Sequence, residues 1–169
     1  MAETQLIALE IITPEGVAVR ESVQELTVPG VTGEFGVLPG HRPLMAAVRT
    51  GIVAYVKDNQ PCRCAIGAGF AEVAGDRVAL LVDRYIVKDR IDPVRARLEL
   101  KESTEALDAF TGETASAEHG EFVSRQLWAA AQLELYGDPP PPTFRVFAEV
   151  EAQPRESFRA LAPGEPSSE

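Results

Sequence analysis

The sequence predicts a β + α protein. An N-terminal antiparallel β-sandwich is followed by a C-terminal two-helix antiparallel hairpin, with a Pro-rich extension behind it. Three observations carry this. Short apolar runs divided by turn signals fill residues 4–84, with no helical stretch between them. At Asp92-Pro93 the pattern changes to a helical period. At Asp138 a run of prolines closes that pattern. The domains expected are a β-sandwich at 1–88, a helical hairpin at 89–137 and a Pro-rich, partly disordered tail at 138–169.

The β-like runs are QLIALEII, VQELTVPG, LMAAVRTG, GIVAYVK, GFAEV and RVALLV. Period two groups Ile52, Ala54 and Val56 on one strand face, and Val78, Leu80 and Val82 on another. Turns are expected at Pro14-Glu15-Gly16, Pro29-Gly30, Pro39-Gly40, Asp58-Asn59-Gln60-Pro61 and Gly75-Asp76. Runs such as LIALEII are apolar on both faces, as in a strand that meets two layers or a partner. Cys62 and Cys64 lie on the same face of a predicted strand. His41 and His119 are the only histidines, so the pair reads as two reduced strand cysteines rather than a metal or redox site.

Asp92 stands where an N-cap belongs, and Pro93 at the first helical position, where its missing N–H costs nothing. Val94, Leu98, Leu107 and Phe110 recur at helical spacing along VRARLELKESTEALDAF. GETASAEHG interrupts, and EFVSRQLWAAAQLELY forms the second helix. Phe122, Ala129, Leu133 and Tyr136 mark one stripe there, with Val123, Leu127 and Ala131 beside it; Gly137 stops the helix. So small a hairpin should lie against the sandwich or against another protein. Beyond it, DPPPP favours polyproline II, TFRVFAEVE suits one strand or a docking segment, and APGEPSSE is expected to be disordered.

The 169 residues are 45% hydrophobic and 25% charged, in the range of a folded chain. The net charge of −10 argues against a nucleic-acid partner, which needs clustered Lys and Arg. Residues 1–88 hold 10 acids against 8 bases, 89–137 hold 10 against 5, and 138–169 hold 6 against 3, so the acidity belongs to the back of the chain. No apolar run approaches the ~20 residues that span a bilayer, so no membrane insertion is expected. The start, MAETQLIALEII, has no basic region of a signal peptide, and a cytosolic chain is expected.

Residues 33–44, GEFGVLPGHRPL, concentrate backbone-special residues. One reading is a pair of tight turns; another is an exposed edge presenting Glu34, His41 and Arg42 to a partner. His41 has no Ser or Cys at a spacing that would nominate a nucleophile, and no paired carboxylates accompany it. The chain contains neither GxxxxGK[ST] nor GxGxxG. No catalytic residue or metal ligand set is nominated. The residues alone favour a binding module, such as a free-standing cytosolic β-sandwich adaptor, over an enzyme.

The same stretch resembles the signature loop of the epsilon subunit of bacterial F-type ATP synthase. The likeness extends through LEIITPEGVAVRESVQELTVPGVTGEFGVLPGHRPL, then GIVAYV, GAGFAEVAGDRVALLVD and IDPVRA in the same order, roughly residues 5–137. It implies a non-catalytic rotor subunit of a proton-translocating enzyme at the cytoplasmic face of the bacterial inner membrane. One sandwich face would dock on the gamma subunit, and one end would sit on the polar loops of the c-ring. Glu34 and His41 occupy positions implicated in the ring contact. Arg42 is added because its guanidinium suits the carboxylates such loops offer.

The resemblance also implies regulation. Family hairpins can extend along gamma into the alpha/beta catalytic head and block ATP hydrolysis. Phe122, Trp128, Leu133 and Tyr136 would be the apolar anchors here, since the second helix carries Glu118, Glu121 and Glu134 against Arg125 alone. Some relatives bind a regulatory ATP through I/L-D-x-x-R-A, matched by Ile91-Asp92-Pro93-Val94-Arg95-Ala96, which nominates Asp92 and Arg95. The acid that ATP-binding relatives carry six positions earlier is Ile86 in this chain.

Overall fold

The computed structural model describes residues 5–140. Among these residues ten strands precede two helices. They are β1 (Ile7–Thr13), β2 (Gly16–Val23), β3 (Glu25–Gly30), β4 (Gly33–Val37), β5 (Leu44–Val48), β6 (Gly51–Lys57), β7 (Gln60–Ile66), β8 (Gly69–Ala74), β9 (Arg77–Val82) and β10 (Tyr85–Ile86). A 3-10 turn, Lys88–Arg90, leads to α1 (Pro93–Ala109) and α2 (Ala117–Tyr136).

The hydrogen-bonded order is β10-β7-β6-β3-β5-β8-β9-β1-β2, with β4 on the free side of β3. The corner lies at β3, which pairs with β6 through Glu25–Thr27 and with β5 only at Gly30↔Val48. Past that corner the sheet folds over itself. Val28, Val53 and Ile66 from one half share a core with Leu9, Ile11, Val73 and Leu80 from the other. Every pair is antiparallel except β1–β9, which is parallel. The antiparallel sandwich is therefore present with one parallel seam.

Val78, Leu80 and Val82 face the core as their period predicts. On β6 it is Val53 that is fully buried, while Ile52, Ala54 and Val56 are half-buried. The reason is the helical layer. Ile52 packs with Ala65, Ile86, Ile91, Trp128, Ala131 and Leu135, so α2 covers the outer face of β6 and β7. β6 is thus apolar on both faces because it is covered on both.

Asp92 caps α1, its Oδ1 accepting from the N–H groups of Val94 at 3.0 Å and Arg95 at 3.1 Å. Ser116 caps α2, its hydroxyl accepting from the His119 N–H. Gly137 ends α2 with φ 106°, and the Asp138 N–H returns to the Leu133 carbonyl at 2.9 Å. The helical spacing of Val94 and Leu98 does not put them inside. They are 70% and 55% exposed, while Ala96 and Ser103 are buried. Small residues let α1 approach α2 closely, which turns the larger pair outward.

Candidate functional site

Short connections at the two ends of the sandwich hold the residues of the GEFGVLPGHRPL stretch. The β3–β4 connection, Val31-Thr32, forms a projecting tip with Val31 62% exposed and Glu34 beside it on β4, also exposed. Gly30 is required there: a Cβ would lie 2.6 Å from the Gly33 carbonyl oxygen. The Val31 N–H donates to the Ala47 carbonyl and the Arg49 N–H to the Pro29 carbonyl, tying the tip to the end of β5.

His41 and Arg42 lie at the other end. Leu38-Pro39-Gly40-His41 is a type II turn, with the His41 N–H donating to the Leu38 carbonyl at 3.1 Å and Gly40 at φ 76°. Asp76, in the β8–β9 turn, anchors it by accepting from the Gly40 N–H at 2.9 Å. The same carboxylate accepts from the Gln5 side chain at 3.0 Å. The His41 Nδ1 meets the Arg42 carbonyl at 2.8 Å. Val37 at the far end of β4 is already about 10 Å from Glu34 along the strand, at ~3.3 Å per residue. The structure therefore brings His41 and Arg42 together and sets Glu34 apart.

Between these ends lies a surface that residue patterning only hinted at. The outer face of β5, β8, β9, β1 and β2 carries one continuous cross-strand row, Ala47↔Phe70↔Leu81↔Ile12↔Val17. Phe70 is 59%, Val17 50% and Leu81 47% exposed, and Met45 nearby is 72% exposed. The next row runs Met45, Glu72, Ala79, Glu10 and Arg20 and is polar toward β1 and β2, with Arg20 Nε 2.8 Å from Glu10 Oε1. Its signal in the sequence is the two-faced apolar character of LIALEII and RVALLV, which shows that a strand has two covers without naming the second.

Asp92 and Arg95 do share a cavity, of about 270 Å³, with Ile86, Arg90, Ala96, Glu99, Trp128 and Gln132. Its two arginines face two carboxylates. One oxygen of Asp92 is committed to the helix cap, and Glu99 accepts from Arg125 at 2.9 Å. The four hairpin anchors have separate surroundings. Leu133 is buried at 2% exposure, and Trp128 on α2 packs against the cluster of Ala65 and Ile91, with the Arg84 guanidinium 5.9 Å from its ring. Phe122 stands edge-on to Phe110, and Tyr136 is exposed near Lys88. The hairpin seam itself is polar: Gln126, 7% exposed, donates to Thr104 Oγ1 at 2.9 Å, and the buried Ser103 hydroxyl donates to the Glu99 carbonyl. Burial pushes the Cys64 thiol up to about 12, with Cys62 adding to it, so Cys64 is an inert core group.

The sequence profile of the family described as "ATP synthase, Delta/Epsilon chain, beta-sandwich domain" matches residues 6–88. The ATP synthase epsilon chain of Magnetococcus marinus is 39% identical over 128 residues, covering 75% of this chain and 91% of that protein. The corresponding chain of Geotalea uraniireducens is 39% identical over 110 residues, covering 65% and 80%. Among solved structures, a chain of the Euglena gracilis mitochondrial ATP synthase assembly of OSCP, F1 and c-ring superposes with a TM-score of 0.59. It is 18% identical, with 82% of this chain and 81% of that one covered, a likeness of fold.

Proposed function

This chain belongs to the ATP synthase epsilon-chain family, and from that membership we propose how its surfaces serve the rotor. It is a non-catalytic subunit of the central stalk. No helix among the described residues is long and apolar enough to cross a membrane, in keeping with a peripheral subunit. The proposed site is the cytoplasmic face of a bacterial inner membrane.

The row Ala47–Phe70–Leu81–Ile12–Val17 docks on the gamma subunit. One observation carries this: α2 covers the opposite outer face, over β6 and β7, and leaves this one open with its apolar side chains half in solvent. His41 and Arg42 adjoin the face through β5 and extend its rim. The tip bearing Glu34 meets the c-ring, and proton-driven rotation of the ring passes through the hydrogen-bonded sheet to gamma. A Leu81→Glu variant tests the docking face. It places a carboxylate in the middle of the row, and binding to a gamma-containing F1 that lacks this chain should fall at least ~30-fold. Unchanged binding by a folded variant overturns the assignment. The ring contact has its own test: Glu34→Ala lowers proton-driven ATP synthesis by assembled enzyme, and equal synthesis at equal assembly removes Glu34 from it.

A brake on ATP hydrolysis through the alpha/beta head requires the hairpin to leave the sandwich, because Trp128, Ala131 and Leu135 are engaged there. Deleting residues 89–169 should then raise ATP hydrolysis by the whole enzyme; no rise means no brake. A second reading, regulatory ATP, rests on Asp92 and Arg95 lining one cavity with Arg90. The volume falls just below the ~300–1,000 Å³ usual for ligand sites, and the charges balance, so binding there would be weak. Absence of heat on titrating millimolar Mg-ATP into the chain retires it.

A further inference from the structure

We propose that the partner covering the apolar row is oriented by charge: it presents a carboxylate to the group Arg20–Glu10–Arg77 and a cation to Glu72. The inference rests on the docking of that row proposed above, and it names chemistry the partner surface must carry.

The charged group is built on the outer face of β1, β2 and β9. Glu10, its side chain 24% exposed, gives one oxygen to each arginine. Oε1 lies 2.8 Å from Arg20 Nε, and Oε2 lies 3.8 Å from Arg77 Nη2. Two guanidinium groups on one carboxylate leave a net positive charge. The arginine side chains are 72% and 75% exposed, so most of their N–H donors face solvent. Neighbouring acids are engaged elsewhere. Asp76 accepts from the Gly40 N–H and the Gln5 side chain. Glu21 pairs with Lys57 at 2.8 Å, and Asp58 lies beyond it in the β6–β7 turn.

Position gives this group its role. Glu10 is two residues from Ile12 on the same face of β1, so it borders the apolar row directly. A partner seated on the row takes water from that border. A net charge dried in this way costs affinity unless an opposite charge meets it. The planar forks of two arginines suit a carboxylate. Glu72 stands on the same border, two strands from Glu10, or roughly 10 Å. It is exposed and makes no salt bridge among the described residues. Arg77, diagonal to it across β8 and β9, turns to Glu10 instead. The border is therefore negative at β8 and positive toward β1 and β2. A partner turned by half a rotation would meet like charge at both ends. The apolar row supplies affinity, and this border fixes which way round the partner sits.

The test is stopped-flow association of the full chain with gamma-containing F1 that lacks it, at ionic strengths of about 0.01 to 0.15 M. A thermal melt checks that each variant is folded. Glu10→Gln frees both arginines and should speed association about threefold at low salt. Glu72→Gln removes the same charge from the same face and should slow it about threefold. R20Q/R77Q should slow it about tenfold and flatten its salt dependence. Changes of the same sign in Glu10→Gln and Glu72→Gln would report net charge alone and overturn the proposal. So would wild-type rates in R20Q/R77Q while Leu81→Glu still weakens binding. Wild-type binding by Leu81→Glu removes the docking row itself, and this proposal with it.

Discussion

Phe70→Ala is the sharpest probe of the docking face. The side chain is 59% exposed. Of the ~200 Å² an aromatic ring can bury, about 120 Å² is therefore still open to a partner. At ~25 cal/mol per Å² that is a ceiling of about 3 kcal/mol. Side-chain ordering and imperfect fit leave roughly 1–2 kcal/mol, a 5- to 30-fold loss of affinity. The isolated chain should barely notice, because truncating an exposed strand side chain changes stability by about 0.5 kcal/mol or less. The assay is calorimetric titration into gamma-containing F1 that lacks this chain, paired with a thermal melt. The loss should hardly vary with salt, since the row carries no charge. Wild-type affinity at an unchanged melting temperature would refute the reasoning. So would a loss that appears only at low salt, which would make the contact ionic.

Three further outcomes are expected. Asp92→Ala frees two N–H groups at the start of α1 and should destabilise the hairpin by about 1 kcal/mol, read as faster amide exchange in α1 with the sandwich unaffected. Gly40→Ala meets no atom within 4 Å, so its cost is the left-handed backbone alone, about 1–2 kcal/mol, seen as a lower melting temperature. Alkaline stability follows from Cys64, Tyr55 and Tyr85, each pushed up to about 12, chiefly by burial. Folded pKa values above the unfolded ones mean that stability is whole below about pH 9 and declines as pH climbs toward 12. Urea melts across that window should show the decline, and Cys64→Val should make it shallower.

Local rules made much of the architecture readable. The Asp92-Pro93 start and the Gly137 stop of the hairpin rest on capping and backbone constraints that involve only neighbouring residues. The buried face of β9 rests on simple alternation. β2, β4 and β10 had no separate expectation: GVAVRESV is mostly exposed, GEFGV has two glycines in five residues, and β10 has two residues. The outward turn of Val94 and Leu98 was illegible for a different reason. Which face of α1 packs depends on how closely α2 approaches, and that is set by Ala96 and Ser103 against the opposite helix. The docking row has the same character, since it exists only through register among five strands. The separation of Glu34 from His41 is geometric too: seven positions apart in sequence, they sit at opposite ends of a strand.

The single parallel seam, β1 against β9, has a consequence for synthesis. β1 finds β2 at once, but its other neighbour begins only at Arg77. At a ribosomal rate of about 5–20 residues per second, Leu9 and Ile11 wait several seconds for the strand that completes their shelter. A nascent chain halted before that point holds a two-stranded ribbon with a bare edge and an uncovered apolar side. Translation pausing inside residues 24–76 should therefore raise aggregation far more than pausing once β9 has left the ribosome.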